Sequence, residues 1–307
     1  MPKTLVIVNP SAGRGYAGRM MPQIQQHLGE LGVAFDLVNT EGPGHATQLA
    51  SQAVQDGYEV IVAMGGDGTT HEVVNGMMLA RTGDSIGTLA CIPAGNGNDF
   101  AAMNGAPEDI AAACRLIAEG TPRLVDIGHL VVDGESRGYF SNAVGIGFDG
   151  LTVRETQNFR RLRGMAMYLL AVLKTIFVTM RPMRSEMVLD DEQVQQTTLM
   201  MVIANGPREG HTFLVAPDAT CDDGWLDLTI AETMPRFQML AVLPSVMKGT
   251  HIRHRRFAVK RARRIVISSP DAMFFHVDGE LLCDGAHYIE AEVIPRCLRM
   301  IGRPSNI

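Results

Sequence analysis

Short, wholly apolar runs that each break into a loop of glycine, asparagine or proline constrain this chain most. Thr4-Leu5-Val6-Ile7-Val8 stops at Asn9-Pro10, Val60-Ile61-Val62-Ala63-Met64 stops at Gly65-Gly66, and Gly87-Thr88-Leu89-Ala90-Cys91-Ile92 stops at Pro93-Ala94-Gly95. A strand with no polar alternation has to be covered on both faces. Helical patterning fills 16–31, 45–55 and 70–79, and a further strand falls at 33–38. Repeated βα units of this kind predict an α/β domain with a Rossmann-like parallel sheet and helices on both sides.

From about residue 124 the rhythm changes to short β-rich runs at 124–132, 138–144, 185–190, 198–204, 226–230, 256–260, 264–268 and 288–294. Helical stretches near 160–180 and 235–248 interrupt them. This predicts an antiparallel sheet domain, and 307 residues suffice for two domains. The boundary falls near 124–128.

Charge separates the halves too. Residues 1–126 carry 6 Lys or Arg against 13 Asp or Glu, and the remainder carries 21 against 20. An acidic first half argues against general nucleic-acid binding, while a nucleotide can still be held by backbone donors and a divalent cation. Five cysteines with no CxxC pair suit reduced cytosolic thiols. Met1-Pro2-Lys3 leads directly into strand patterning without a secretory apolar stretch, and no run is long enough to span a bilayer. A cytoplasmic protein is the expectation.

Three loops carry the chemistry of the first half. Asn9-Pro10-Ser11-Ala12-Gly13-Arg14-Gly15 follows the first strand and reads equally well as an anion cradle or a plain turn. It lacks the Gly-Lys-Ser/Thr of a Walker A loop. Gly65-Gly66-Asp67-Gly68-Thr69 leaves backbone open to phosphate oxygens and leads into a helix whose first N–H groups favour anions. Asp67, in its midst, suits a Mg²⁺–phosphate centre or proton handling. Thr69 and Glu72 stand at capping-box spacing, a sufficient structural account of Glu72. Gly95-Asn96-Gly97-Asn98-Asp99 opens a second backbone site, and Asn98 or Asp99 is placed to cap the helix that follows.

The second half adds Gly145-Ile146-Gly147-Phe148-Asp149, Asp222-Asp223-Gly224-Trp225-Leu226-Asp227, and His276-Val277-Asp278-Gly279-Glu280. Glu280 could accept the proton of an attacking hydroxyl if its turn meets Asp67.

In this order, and nearly end to end, these motifs resemble the diacylglycerol kinase catalytic-domain family, including bacterial diacylglycerol kinases, YegS-like lipid kinases and sphingosine kinases. The Gly65–Thr69 run alone also suits NAD kinases and phosphofructokinases; the ordered set is specific. The resemblance implies an ATP-binding domain over 1–127 and a β-sandwich-like acceptor domain over 128–294, with ATP in the cleft between them. Residues 295–307 would return to the first domain. Asn9, Ser11, Gly13, Gly65, Gly66, Gly68, Thr69, Gly95, Asn96 and Asn98 would bind ATP. Asp67 would serve Mg²⁺ and catalysis, and Glu280 would be the general base. The resemblance also implies a structural Mg²⁺ held by the Asp223 side chain and the carbonyls of Thr220 and Trp225. Asn96 stands where Thr is usual. Asn205 to Thr212 stand where members of the family often have a run of glycines before Ala216-Pro217, and His211 and Thr212 there bear on the acceptor.

The expected acceptor is a lipid alcohol, diacylglycerol-like or sphingoid-like, received by the Met-containing stretch Leu162 to Met183. The rivals are a soluble acceptor such as NAD and a non-catalytic nucleotide-binding regulator. Residues 251–264 hold seven Lys or Arg and two His with no acid, which suits transient peripheral contact with an anionic membrane at its inner face. Monomer and homodimer both stay open.

Overall fold

The computed structural model describes residues 2–81, 86–159 and 164–303. They form two compact units, one of the described residues up to 127 with 294–303 and one of those from 128 to 293.

The first unit runs β1 (Thr4–Val8), α1 (Ala12–Glu30), β2 (Phe35–Asn39), α2 (His45–Gln55), β3 (Val60–Gly65), α3 (Asp67–Leu79), β4 (Thr88–Pro93), α4 (Asp99–Met103) and α5 (Ile110–Glu119). β1 pairs in parallel with both β2 and β3, and β3 pairs in parallel with β4. The last strand of the chain, β13 (Glu280–Ile301), ends in this unit, where Arg299 and Met300 pair in parallel with Thr88 and Leu89. β1, β3 and β4 are buried at every residue, as their unbroken apolar sequences require. β2, an edge strand, is only half-buried. Ile24 and Leu28 of α1 and Ile110 and Cys114 of α5 pack with Val62, Met64 and Ile92 in the core. In a parallel sheet of this kind, ligands meet the loops at the carboxyl ends of the strands.

The second unit is antiparallel throughout its strand pairs. It takes the end of β5 (Pro122–Val132), then β6 (Glu135–Phe140), β7 (Ala143–Gly147), α6 (Phe148–Thr156), α7 (Gly164–Lys174) with a π-turn at Thr175–Thr179, β8 (Met183–Leu189), β9 (Glu192–Ala204), β10 (Leu226–Glu232), α8 (Arg236–Met247), β11 (Phe257–Ala262), β12 (Arg264–Val277) and most of β13. β9 and β12 are each shared: their outer halves pair with β8 and their inner halves with β7. β12 makes the change through register shifts between Ser268 and Phe274. Phe140, Ile146, Met201, Leu228, Ile267 and Phe275 are central to its core.

The strand expected at 138–144 is divided between β6 and β7, because Ser141 and Asn142 break it to bind Asp278. Of the stretch Leu162 to Met183, residues 162 and 163 lie outside the described residues. Among the described residues, no helix is long and apolar enough to cross a membrane. Cys91, Cys114, Cys221 and Cys297 are buried free thiols, and burial pushes Cys91 up to about 12.

Candidate active site

The three loops of the first unit sit side by side at the carboxyl ends of β1, β3 and β4, and polar side chains lace them together. Asn9 Nδ2 donates to Thr69 Oγ1 at 3.0 Å, while Asn9 Oδ1 accepts from the Ser11 N–H at 3.1 Å and the Ser11 hydroxyl at 2.7 Å. Gly13, Arg14 and Gly15 follow with left-handed φ values of 55°, 59° and 80°. Asn98, itself left-handed at φ 59°, folds the third loop on itself: its Oδ1 accepts from Gly95 N at 2.9 Å and its Nδ2 donates to Gly95 O at 3.0 Å. Asn96 is exposed at the tip of that loop.

Asp67 joins the second loop to the third. Its Oδ2 accepts from Asn98 N at 2.7 Å and its Oδ1 from Asp99 N at 2.6 Å. These are charge-assisted bonds, shorter and stronger than neutral ones. The approach is close enough to demand glycine: a Cβ on Gly97 would lie 2.3 Å from Asp67 Oδ2, and one on Gly95 would lie 2.4 Å from Gly66 Cα. Gly65 is closed in by Thr69, whose Oγ1 would lie 2.3 Å from a Cβ there, while Gly66 and Gly68 are partly exposed.

Two capping expectations are corrected here. α3 begins after an extended Gly66 with no side-chain cap, so Thr69 and Glu72 form no capping box. Glu72 instead accepts from Gly44 N at 2.8 Å and Ala46 N at 3.0 Å, closing the start of α2. Likewise α4 receives its cap from Asp67 and not from the side chains of Asn98 or Asp99.

In the second unit, β12 and β13 meet at Asp278-Gly279, both left-handed at φ 48° and 86°, the conformation of a type I′ hairpin. Glu280 follows, exposed. Asp278 is an anchor: its carboxylate accepts from the N–H groups of Ser141, Asn142 and Ala143 and from the Ser141 hydroxyl, at 2.9–3.1 Å.

Close by, three chemically competent groups converge. His276 Nε2 lies 3.1 Å from Asp149 Oδ2 and 3.8 Å from Glu209 Oε1, and the three ligand atoms lie within 4.8 Å of one another. Burial acts to raise the Asp149 carboxyl, but His276 outweighs it and holds the group below the usual carboxylate range. Burial also pushes the Tyr168 hydroxyl far up, with Asp149 and Glu209 adding to the effect. Sequence reading noticed Asp149 and the altered 205–212 segment but did not bring them to His276. The one signal for it was the departure from a glycine run at 205–212, which pointed to His211 and Thr212 and not to Glu209.

The acidic turn before β10 is elsewhere on the sheet, since β9 and β7 separate β10 from β12. Asp223 Oδ1 accepts from Trp225 N at 3.1 Å, and Asp223 Oδ2 contacts the Arg261 guanidinium. Arg261 also lies 3.4 Å from Asp227 Oδ1. Asp227 Oδ2 is buried with no hydrogen-bond partner. Burial raises Asp227 to about 6; Arg261 opposes the rise and Asp223 and Asp218 reinforce it. Asp227 Oδ2 is thus an orphaned, crowded carboxylate oxygen of the kind a hard divalent cation takes, whereas Asp223, expected to hold Mg²⁺ with the carbonyls of Thr220 and Trp225, is here paired with Arg261. Asp67, a partly buried carboxylate, also offers the oxygen donor that Mg²⁺ takes.

Comparison with known proteins agrees across the whole chain. Residues 3–130 match the diacylglycerol kinase catalytic domain, and residues 142–302 match the YegS C-terminal NAD kinase beta sandwich-like domain. The chain is 30% identical over 282 residues to a diacylglycerol kinase of Bacillus subtilis, covering 91% of this chain and 90% of that one. It is 29% identical over 308 residues to one from Mycobacterium tuberculosis, with 99% and 96% covered. The crystal structure of a diacylglycerol kinase from Bacillus anthracis shares the fold, with a TM-score of 0.75 at 22% identity over 100% of this chain and 98% of that one.

Proposed function

This chain belongs to the bacterial diacylglycerol kinase and YegS-like lipid-kinase family, and from that premise we propose that it transfers the γ-phosphoryl group of ATP to a hydroxyl of a lipid alcohol, diacylglycerol-like or sphingoid-like. The observation that carries this reading is the lacing of three glycine loops at one strand edge, with Asp67 closing the second onto the third.

Phosphoryl transfer asks little covalent chemistry of a protein; it needs the phosphates positioned, their charge met, and the acceptor's proton removed. Gly65, Gly66, Gly68, Gly95 and the Asn9–Gly13 loop present backbone to the phosphates, and the start of α3 adds its dipole. Thr69, Ser11, Asn96 and Asn98 bind or shape this cradle. Asp67 would hold a Mg²⁺ that supplies charge neutralisation at the phosphates, and Asp223 with the carbonyls of Thr220 and Trp225 would hold a second that braces the 220–227 turn. Glu280 takes the proton of the attacking hydroxyl.

The surface of the second unit supports an oily acceptor. Phe237 on α8 is 78% exposed and Val178 is 59% exposed, and the Phe177 and Phe237 rings meet at 6.2 Å. Arg181, Arg236, Arg253 and Arg255 are exposed in the same unit. Apolar tips with basic residues suit brief contact with an anionic bilayer, at the inner face of the membrane of a cytoplasmic protein.

The test is transfer of labelled γ-phosphate from ATP to a panel of lipid extracts and soluble metabolites. Glu280→Gln and Asp67→Asn are run beside the wild type. Labelling of a lipid alcohol that both variants lose is the expected result. No labelled product in any class, or full turnover in both variants, would sink the proposal.

A further inference from the structure

The convergence of His276, Asp149 and Glu209 has a direction. His276 Nδ1 accepts the Gly279 N–H at 3.2 Å, and the hydrogen bond at one ring nitrogen sets the proton at the other. The proton therefore sits on Nε2, on the side of the ring where Asp149 Oδ2 and Glu209 Oε1 lie 3.1 and 3.8 Å away, although Asp149 Oδ2 receives no well-formed hydrogen bond. A metal on Nε2 would need that proton moved to Nδ1, where the Gly279 N–H already points. The geometry favours a fixed ring over a cation site.

His276 is 2% exposed and Asp149 8% exposed. Gly145 stands opposite His276 in the β7–β12 pairing. A Cβ on Gly145 would lie 2.3 Å from His276 Nε2 and 2.4 Å from Asp149 Oδ2, so the glycine makes room for the ring and the carboxylate to meet. Both sides of the imidazole are thus occupied: carboxylates on one, the hairpin backbone on the other. Asp278 pins the same hairpin at its other residue.

We propose that His276 is a positioning residue for phosphoryl transfer: with Asp149 and Glu209 packed against one side of it, the ring fixes Gly279 through Nδ1 and thereby aims the adjoining Glu280. This rests on Glu280 as the proton acceptor. Asp149 is a positioning residue one step further out. The 205–212 segment, in place of the glycine run, brings the Glu209 carboxylate to 3.8 Å from the ring.

Two substitutions separate the two sides of the ring. In His276→Asn the side-chain oxygen lies where Nδ1 lies and still accepts the Gly279 N–H. In His276→Gln the side-chain amide reaches toward Asp149 but leaves Gly279 unheld. The full chain is assayed with ATP and diacylglycerol in mixed micelles. His276→Gln is expected to lower kcat by about 10- to 100-fold with KM for ATP unchanged, and His276→Asn to recover kcat to within about fivefold of wild type, since misplacing a reacting group by about 1 Å carries losses of this size.

Equal kcat in the two variants, or wild-type kcat in His276→Gln, overturns the assignment. Should His276→Gln fail to fold, Asp149→Asn carries the test: it loosens the far side of the ring and lowers kcat at unchanged KM for ATP, and an unchanged kcat overturns the proposal. One equivalent of Zn²⁺ bound by the wild type and lost in His276→Asn also overturns it, making the ring a ligand. Glu280→Gln distinguishes the two levels. Full turnover there removes the base itself, whereas an inactive Glu280→Gln beside a fully active His276→Gln removes only the positioning role.

Discussion

Asp67→Asn is the substitution whose consequence the loop geometry defines most sharply. Asp67 accepts two backbone N–H groups, one on each oxygen, at 2.7 and 2.6 Å. An amide keeps the shape but replaces one oxygen with NH₂, so in either orientation one donor of α4 faces another donor. A hydrogen bond to a charged group contributes about 1.5–3 kcal/mol, and the stranded N–H adds a desolvation cost of its own. We expect a loss of about 2–3 kcal/mol from the first unit, seen as a melting temperature lowered by about 4–10 °C. Nucleotide binding should weaken even without Mg²⁺, because the third loop is no longer held on the second. Calorimetric titration of ATP in EDTA, beside thermal unfolding, measures both. A variant with wild-type melting and wild-type metal-free ATP affinity would refute the locking argument, whatever its kcat.

Other consequences follow from neighbouring groups. Glu72→Gln keeps one of the two bonds that close α2 and should cost about 1 kcal/mol in thermal unfolding, with kcat and KM unchanged; a loss of turnover would assign Glu72 a role that its partners Gly44 and Ala46 do not suggest. Asp278→Ala strands four donors and should cost at least about 3 kcal/mol in urea unfolding, and a variant as stable as wild type contradicts the anchor. Asp227 titrates near 6 in the folded state, above its ordinary carboxylate range. The folded chain thus binds that proton more tightly than the unfolded chain, and the associated stability is full below about pH 4 and lost as pH rises through about 6. A cation at the 220–227 turn competes with the same proton, so Mg²⁺ should raise the melting temperature more at pH 7 than at pH 5. Asp223→Ala should erase the difference, and equal shifts at the two pH values in wild type would remove the site. Phe237→Ala should weaken co-sedimentation with anionic vesicles by about tenfold, the worth of one withdrawn aromatic side chain; unchanged binding places the membrane contact elsewhere.

What the sequence disclosed depended on whether the deciding contact was local. β1, β3 and β4 announce themselves because burial on both faces forbids polar residues, and their glycine loops are visible because close backbone approach excludes side chains. The unity of β13 was hidden: Glu280–Ile301 is one strand, and its final pairing with β4 accounts for the buried apolar residues Leu298, Met300 and Ile301. The caps were hidden for a different reason. Spacing inside α3 suggested that Glu72 serves its own helix, but an extended Gly66 leaves no cap there, and the free carboxylate geometry is used by α2.

The same distinction bears on Glu280 itself. An Asp-Gly-Glu turn can be read from sequence as a hairpin with a carboxylate beside it, since Asp278 and Gly279 need nothing beyond their own left-handed φ values. What would turn an exposed carboxylate into a directed one is the restraint on its neighbours, and the groups that supply it come from distant places: Ser141 to Ala143 on Asp278, and Asp149 and Glu209 beside His276. A hairpin held only by its turn residues would leave the Glu280 backbone free to sample several directions, with a loss of effective concentration at the acceptor hydroxyl. Holding the turn from both sides removes that freedom before any substrate arrives. With Glu280 as the proposed proton acceptor, the buried His276 cluster would bear on rate as directly as the glycine loops would bear on nucleotide binding.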